Sequence, residues 1–322
     1  MTKLLDWLVP AMIVALAGCG DGGGPAEGDD GKQTLPPADN ATYSSLTGIW
    51  AFSDKDVWAV GSRVLHFDGS SWQEVEGPGA ASSGVGLSLT AVWGLAPDDL
   101  WVTTGTQIYR YRGASKGWVE LVHDIPNPPD FNALFVLAED DYDVGGGAVN
   151  SEIIRVKGTT VTRSFTQASE TTGIWGANGD DIWAAAEIGG LYHWDGASWT
   201  QTMLNGNGTY PHAVWGASAK DVWAVGDSET LQHWDGAAWT ETASDESYGC
   251  VWGAAANDVW AAGEAGAVAH YDGTSWTTDN IGSSLTSAVF FTSMSGSGPN
   301  SVWASGYELG ADGNNGVVYR LK

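Results

Sequence analysis

Basic residues are scarce in this chain. Thirteen Lys and Arg stand against 39 Asp and Glu, giving a formal net charge of −26 and a pI near 4.2. A phosphate backbone would be repelled by such a surface, which excludes nucleic acid as a partner. Cysteine is nearly absent, with only Cys19 and Cys250 in 322 residues, so no disulfide framework exists. One apolar run stands out, residues 8–17, and it is too short to cross a bilayer as a helix. Helical 3.6-residue periodicity is missing from the rest of the chain, where alternation at period two is frequent. No nucleophile elbow, paired-carboxylate constellation or phosphate loop occurs, so no catalytic residue, metal ligand or cofactor is assigned.

What is abundant is tryptophan, and it is periodic. A first aromatic falls at Trp50, Trp93, Phe135, Trp175, Trp215, Trp252 and Phe291, at intervals of 43, 42, 40, 40, 37 and 39 residues. Eight residues later comes a second tryptophan, preceded by Asp and an aliphatic residue, as in Asp56-Val57-Trp58 and Asp221-Val222-Trp223. The third unit aligns as Asp140-Asp141-Tyr142 and the seventh as Ser301-Val302-Trp303. His-aromatic-Asp-Gly recurs at 66–69, 193–196, 233–236 and 270–273, followed by Trp72, Trp199, Trp239 and Trp276. Of the 19 tryptophans, 18 occupy one of four repeat positions, which marks them as scaffold rather than site.

Each unit holds four short β-like runs; in the fifth they are 212–215, 221–226, 230–234 and 238–242. The Asp-Gly between the last two is a hairpin signal, because glycine accepts the positive φ of the turn. Units of about forty residues with four strands are propeller blades. The expected fold is all-β: a seven-bladed β-propeller of four-stranded antiparallel blades over residues 43–322. Small residues two before the first aromatic (Gly48, Ala91, Ala133, Gly173, Ala213, Cys250, Val289) suit a crowded innermost strand. Cys250 reads there as a packing residue.

Residues 1–18 read as a targeting segment and 19–42 as a Gly/Asp/Pro-rich tether. Leu16-Ala17-Gly18-Cys19 resembles a bacterial lipobox, which implies lipidation of Cys19 and a membrane anchor through that lipid. Gly20, rather than Asp, follows the cysteine; by resemblance to lipoprotein sorting this points to the outer rather than the inner membrane. The last unit ends at its third strand, and counting back from Trp50 places residues 32–35 as the outer strand that closes the last blade.

The recurring Asp before the second tryptophan reads as a turn cap that accepts backbone N–H groups, and the recurring His as one per blade. The acidic run Glu139 to Asp143 lacks the spaced ligands of a calcium loop and reads as a solvated turn. One ring of positions differs between units: Thr47, Thr90, Asn132, Thr172, His212, Gly249 and Ala288, each three before the first aromatic. These would lie at one mouth of the central channel, so His212, Asn132, Thr90, Thr172 and Thr47 are the candidate ligand-binding residues.

The units resemble a diffuse group of bacterial secreted and lipoprotein β-propellers with Trp-Gly…Asp-Val-Trp-Ala-Val-Gly repeats, best seen in Trp215-Gly216…Asp221-Val222-Trp223-Ala224-Val225-Gly226. The turn Asp195-Gly196-Ala197-Ser198-Trp199 is similar to the Asp-box of sialidase-like propellers but lacks the residue between Asp and Gly. Tectonin-type lectin repeats are a further likeness. The resemblance is specific for fold; the evenly repeated scaffold with no catalytic outlier points to a monomeric, surface-tethered, non-enzymatic binding propeller with a glycan or protein ligand. Two alternatives stay open: a sialidase-like glycoside hydrolase or lyase, needing three of the six arginines in one cleft, and a structural component of an envelope assembly.

Overall fold

A computed structural model describes residues 31–37, 45–79, 87–121, 125, 128–147, 151–167, 169–188, 190–202, 204, 210–227, 231–280, 288–310 and 313–322. The targeting segment, Cys19 and most of the tether lie outside the described residues. Seven antiparallel sheets succeed one another along the chain, at 46–75, 91–120, 131–167, 171–202, 211–241, 248–280 and 289–320, here blades 1 to 7. Blades 1 to 6 have four strands each in simple up-and-down order; in blade 1 they are Leu46–Ser53, Asp56–Gly61, Val64–Phe67 and Trp72–Val75. Blade 7 has three of its own: Val289–Gly298, Ser301–Gly310 and Gly313–Arg320.

The first strand of each blade touches the first strands of both neighbours, so these seven line the axis and the chain closes into a ring. Seven apolar clusters fill the seven gaps between blades. The seam between first and last blades is one of them, joining Leu46, Ile49, Leu65, Phe67 and Trp72 to Trp303 and Val318. Burial of apolar area at every gap is the main stabilising term, since each blade can cover its faces only with its neighbours.

The Trp-Gly pair of the repeat has a direct physical reason. A Cβ built on Gly216 would meet the Trp175 ring at 2.6 Å, one on Gly253 the Trp215 ring at 2.5 Å, and one on Gly296 the Trp252 ring at 2.6 Å. The outer edge of one blade's indole therefore abuts the glycine of the next, a closer approach than any side chain permits. At the seam the pattern lapses in both partners together. Ser295 replaces the indole and Ala51 the glycine, and the Ser295 hydroxyl accepts the Ala51 amide at 3.1 Å.

That pairing corrects the alignment of blade 7. Ser295 lies opposite Trp303, as Trp252 lies opposite Trp260 and Trp215 opposite Trp223. The first-aromatic slot of the last blade is thus Ser295, not Phe291, and its ring position is Thr292, not Ala288. The inner strand here is 10 residues long, and its extra length at the start placed Phe291 at a misleading distance. Blade 3 is also realigned. Phe135 pairs with Asp143, so Asp143 occupies the second-tryptophan slot and Tyr142 the aliphatic one before it. The unit is not a residue short.

The repeated Asp does not cap a turn. Asp56 Oδ1 accepts the Nε1–H of Trp58 at 3.1 Å and faces His66 Nε2 at 2.8 Å, and His66 stacks on Trp58 with ring centroids 4.2 Å apart. Blades 4, 5 and 6 repeat the Asp–His pair at 2.9, 3.0 and 2.7 Å. In blade 2, Arg110 takes the histidine's place, held by Asp99 at 2.6 and 2.7 Å with its guanidinium over Trp101. In blade 7, Arg320 lies over Trp303. The turn caps are instead the Asp of the Asp-Gly hairpins. Asp68, Asp195, Asp235 and Asp272 each accept two backbone N–H groups at 2.8 to 3.0 Å. Those bonds hold all four carboxyls below the usual aspartate range.

The free edge of blade 7 is met by the chain's own beginning. Lys32 bridges antiparallel to Tyr319, the Gln33 amide donates to Val318 O at 2.9 Å, and the Arg320 amide donates to Gly31 O at 3.0 Å. Lys32 Nζ pairs with Glu308 at 2.6 Å, Leu35 packs on the seam cluster, and Arg63 of blade 1 donates to Pro36 O at 2.7 Å. The segment thus touches both sides of the seam.

Two stability measurements test this account. Gly216→Ala forces a methyl into the Trp175 ring and is expected to destabilise by about 1–3 kcal/mol in chemical denaturation; a variant as stable as the parent refutes the indole-on-glycine contact. Deletion of residues 31–37 removes the latch across the seam and is expected to lower the melting temperature in calorimetry. An unchanged transition would show that the ring closes without it.

Candidate functional site

The axial ends of the inner strands carry a recurrent irregularity. In six blades the register slips by one residue there, and the extra residue is the ring position: Thr47, Asn132, Thr172, His212, Gly249 and Thr292. A bulge re-aims the side chain of the added residue. Four of the seven ring positions are threonines, and each hydroxyl donates to a carbonyl of the next blade. Thr47 reaches Leu89 O at 2.7 Å, Thr172 reaches Pro211 O at 3.3 Å, and Thr292 reaches Leu46 O at 2.8 Å across the seam. Thr90 donates in the same way to Phe131 O. Thr47, Thr90 and Thr172 therefore clasp blade to blade.

Blades 3, 5 and 6 break the pattern. Asn132 donates to Glu170, whose carboxyl is pushed up by burial and then by Glu187. His212 turns to Asp227, Nε2 to Oδ1 at 2.9 Å, instead of bridging to blade 6. Gly249 has no side chain at all, and a Cβ there would lie 2.6 Å from Phe291 O.

The two adjacent breaks open a pocket of about 300 Å³ spanning blades 4 to 7. Thr172, His212 and Asp227 form one side, and Ser247, Tyr248, Gly249 and Glu264 belong to blade 6 and its approach. The far wall is Phe290, Phe291, Thr292 and Tyr307. That wall is tall because the second strand of blade 7 continues to Gly310, past Gly306. Gly306 is its counterpart of Gly226 and Gly263, where blades 5 and 6 stop. Phe290 and Tyr307 face each other across the extension, with rings stacked at 5.2 Å and 12°. Four consecutive ring positions border the pocket, so it is the mouth of the central channel on that side.

Of the five sequence candidates, Thr172 and His212 come together here. Thr47, Thr90 and Asn132 lie round the rest of the ring, at the neighbouring blades. Phe290, Tyr307, Glu264 and Asp227 could not be picked out, since they come from the one overlong hairpin and from loops between strands. The length of blade 7 was the available signal.

The acidic run in blade 3 is not a solvated turn throughout. Glu139 pairs with Arg110 and Arg112, and Asp141 receives Arg155 Nη2 at 2.6 Å. Asp143 is 1% exposed, with Oδ2 unsatisfied and Arg155 Nη1 no nearer than 3.5 Å. Burial pushes its carboxyl up to about 7, against the pull of Arg155. Among the described residues no three His, Cys, Asp or Glu side chains converge as metal ligands. The arginines with described side chains are not gathered in one cleft. Arg110, Arg155 and Arg320 occupy the same register position in three separate blades, opposite Trp101, Asp143 and Trp303.

No known protein family and no curated protein matches this chain. Solved structures of the same fold do. YCF48 bound to D1 peptide superposes with a TM-score of 0.64 at 14% identity, covering 88% of this chain and 95% of that one. The WD40 β-propeller domain of Doa1 gives 0.64 at 12% identity over 91% and 97%. The extracellular domain of the hybrid two component system BT3049 from B. thetaiotaomicron gives 0.63 at 15% identity, over 87% of this chain and 40% of that one. At such identities the likeness is one of fold: a seven-bladed propeller.

Asp143 yields a test with a definite sign. Its folded pKa lies above the unfolded value near 3.8, so the native state loses stability as pH rises from about 4 to about 7. Asp143→Asn keeps the shape and removes the buried charge. Its stability advantage in denaturant titration is expected to be nil near pH 3.5 and to grow toward neutrality; a pH-independent difference would refute the assignment.

Proposed function

We propose that this protein is a non-enzymatic binding propeller, lipid-anchored through Cys19 in the bacterial envelope on the outer membrane, that takes a protein ligand at the channel-mouth pocket of blades 4 to 7. The carrying observation is the pocket itself. It opens where His212 and Gly249 abandon the threonine clasp, and the chain adds a four-residue extension of blade 7 to wall it. Glu308 of that extension also pairs with Lys32 of the seam latch, whereas Tyr307 lines the pocket.

A polypeptide is favoured over a glycan by what surrounds the pocket. Ile188 is 65% exposed and Tyr210 38%, both in loops beside strand ends of this face, and Leu309, in the strand extension of blade 7, is 47% exposed. Exposed apolar groups rimming a concave site mark a protein interface. Support also comes from a propeller of the same fold that has been seen with a peptide, YCF48 with D1 peptide. The glycoside hydrolase alternative predicts three arginines in one cleft, and Arg110, Arg155 and Arg320 stand instead in three separate blades.

The full chain, immobilised, is screened against a displayed random-peptide library and a glycan array. Peptides are expected to be selected, with retention at least tenfold lower on the double variant His212→Ala, Phe290→Ala. Peptide binding indifferent to that variant would move the site elsewhere. Glycan binding alone would replace the ligand class, and turnover of a sialoside would overturn the non-enzymatic reading.

A further inference from the structure

The chemistry of the pocket specifies more than a polypeptide. Resting on the mouth pocket as the binding site, we infer that it recognises a cationic side chain, a lysine or arginine of the partner, held by Glu264 and Asp227 with its stem against the Phe290–Tyr307 pair.

Two carboxylates line the pocket and no lysine or arginine does. This is not a general feature of the chain's acids. Asp56, Asp99, Asp141, Asp181, Asp221 and Asp258 all hold a histidine or arginine of their own blade. Asp227 also holds a histidine of its own blade, His212, through Oδ1, but its side chain remains 46% exposed, against 18 to 26% for the others. Glu264 is exposed, and no ion pair to it occurs among the described residues. It stands on a tight turn in which Ala265 adopts φ 51° and Gly266 φ 76°, and it lines the same pocket as Gly249.

An acidic patch alone would bind any counterion, and the second component narrows the choice. The stacked rings of Phe290 and Tyr307 line the same pocket. Aromatic faces attract a cation within about 6 Å and cover the methylene stem of a lysine or arginine. A simple metal ion would gain nothing from such a wall, and an anionic group would be repelled. The volume of about 300 Å³ is at the small end for binding pockets, suited to one long side chain rather than a whole ligand. The backbone on either side would then lie over the apolar rim of Ile188, Tyr210 and Leu309. A net charge of −26 adds long-range attraction for a basic partner.

The test measures fluorescence anisotropy of the full chain with four dodecapeptide pools. They are randomised except for a central Lys, Arg, norleucine or Glu, with labelled glucosamine oligomers as a further probe. The Lys and Arg pools are expected to bind at least tenfold tighter than the norleucine pool, and added salt should narrow that gap. Glu264→Gln, at an exposed position, should remove most of the discrimination by weakening the Lys and Arg pools. If all pools bind alike and Phe290→Ala abolishes them, the pocket binds peptide without reading charge, and this inference fails while the binding function stands. Binding of labelled glucosamine oligomers, with no peptide binding, would assign the cation hole to an amino sugar and refute the polypeptide. If no pool binds, both the inference and the function beneath it fall.

Discussion

An indole needs room for its outer edge, and in this ring the room is a glycine one blade along. Trp175 on Gly216, Trp215 on Gly253 and Trp252 on Gly296 set the spacing of neighbouring inner strands. The rest of the structure follows from that distance: how closely the threonine hydroxyls approach the next blade's carbonyls, and how wide the outer gaps are that the remaining tryptophans fill. The seam shows that the contact is a pair property. Where the large partner becomes Ser295, the small partner relaxes to Ala51, and a side-chain hydrogen bond replaces the packing.

Between inner and outer strands a second unit recurs, made of polar groups inside an apolar ring. A carboxylate holds an imidazole or guanidinium that lies on a tryptophan, and in blades 1, 2 and 6 the same carboxylate also accepts that indole N–H. Burying the carboxylate and its imidazole or guanidinium is tolerable because they satisfy one another, although the indole N–H groups of Trp183 and Trp223 are buried with no partner among the described residues. The scarcity of basic residues acquires a meaning here. Much of the chain's histidine and arginine is used inside the blades, which leaves the exterior to Asp and Glu. Asp143 is the counterexample, a carboxylate in a tryptophan's place, where the burial cost is only partly offset by Arg155.

The pocket is a product of departures from the repeat rather than of the repeat. A perfectly regular ring would carry seven threonine clasps and a closed, uniform mouth. His212, Gly249 and the overlong hairpin of blade 7 occur on consecutive blades, so their separate departures add up in one place. Sites on repeat scaffolds commonly arise this way, because the scaffold supplies rigidity and the irregular positions supply chemistry.

Much of the architecture was legible in the chain alone. The forty-residue interval, the Asp-Gly turns and the alternating runs count the blades and their strands, because strand and turn chemistry is local and is repeated seven times. The small residues beside the first aromatic also announced a crowded inner strand. Local reading failed where an element's role depends on what lies opposite it. Phe291 sits at a plausible interval, yet only pairing with Gly306 shows that Ser295 and Thr292 hold the repeat positions. The Asp before each second tryptophan has the sequence look of a turn cap, but its partner is an imidazole on the neighbouring strand. The ring residues were identified as a set from their spacing. Whether each clasps the next blade or faces a pocket is decided by the adjoining blade, which spacing within a unit does not encode. Tertiary structure alone brought Glu264, Asp227 and the Phe290–Tyr307 pair together, because they belong to three blades and meet only when the ring is closed.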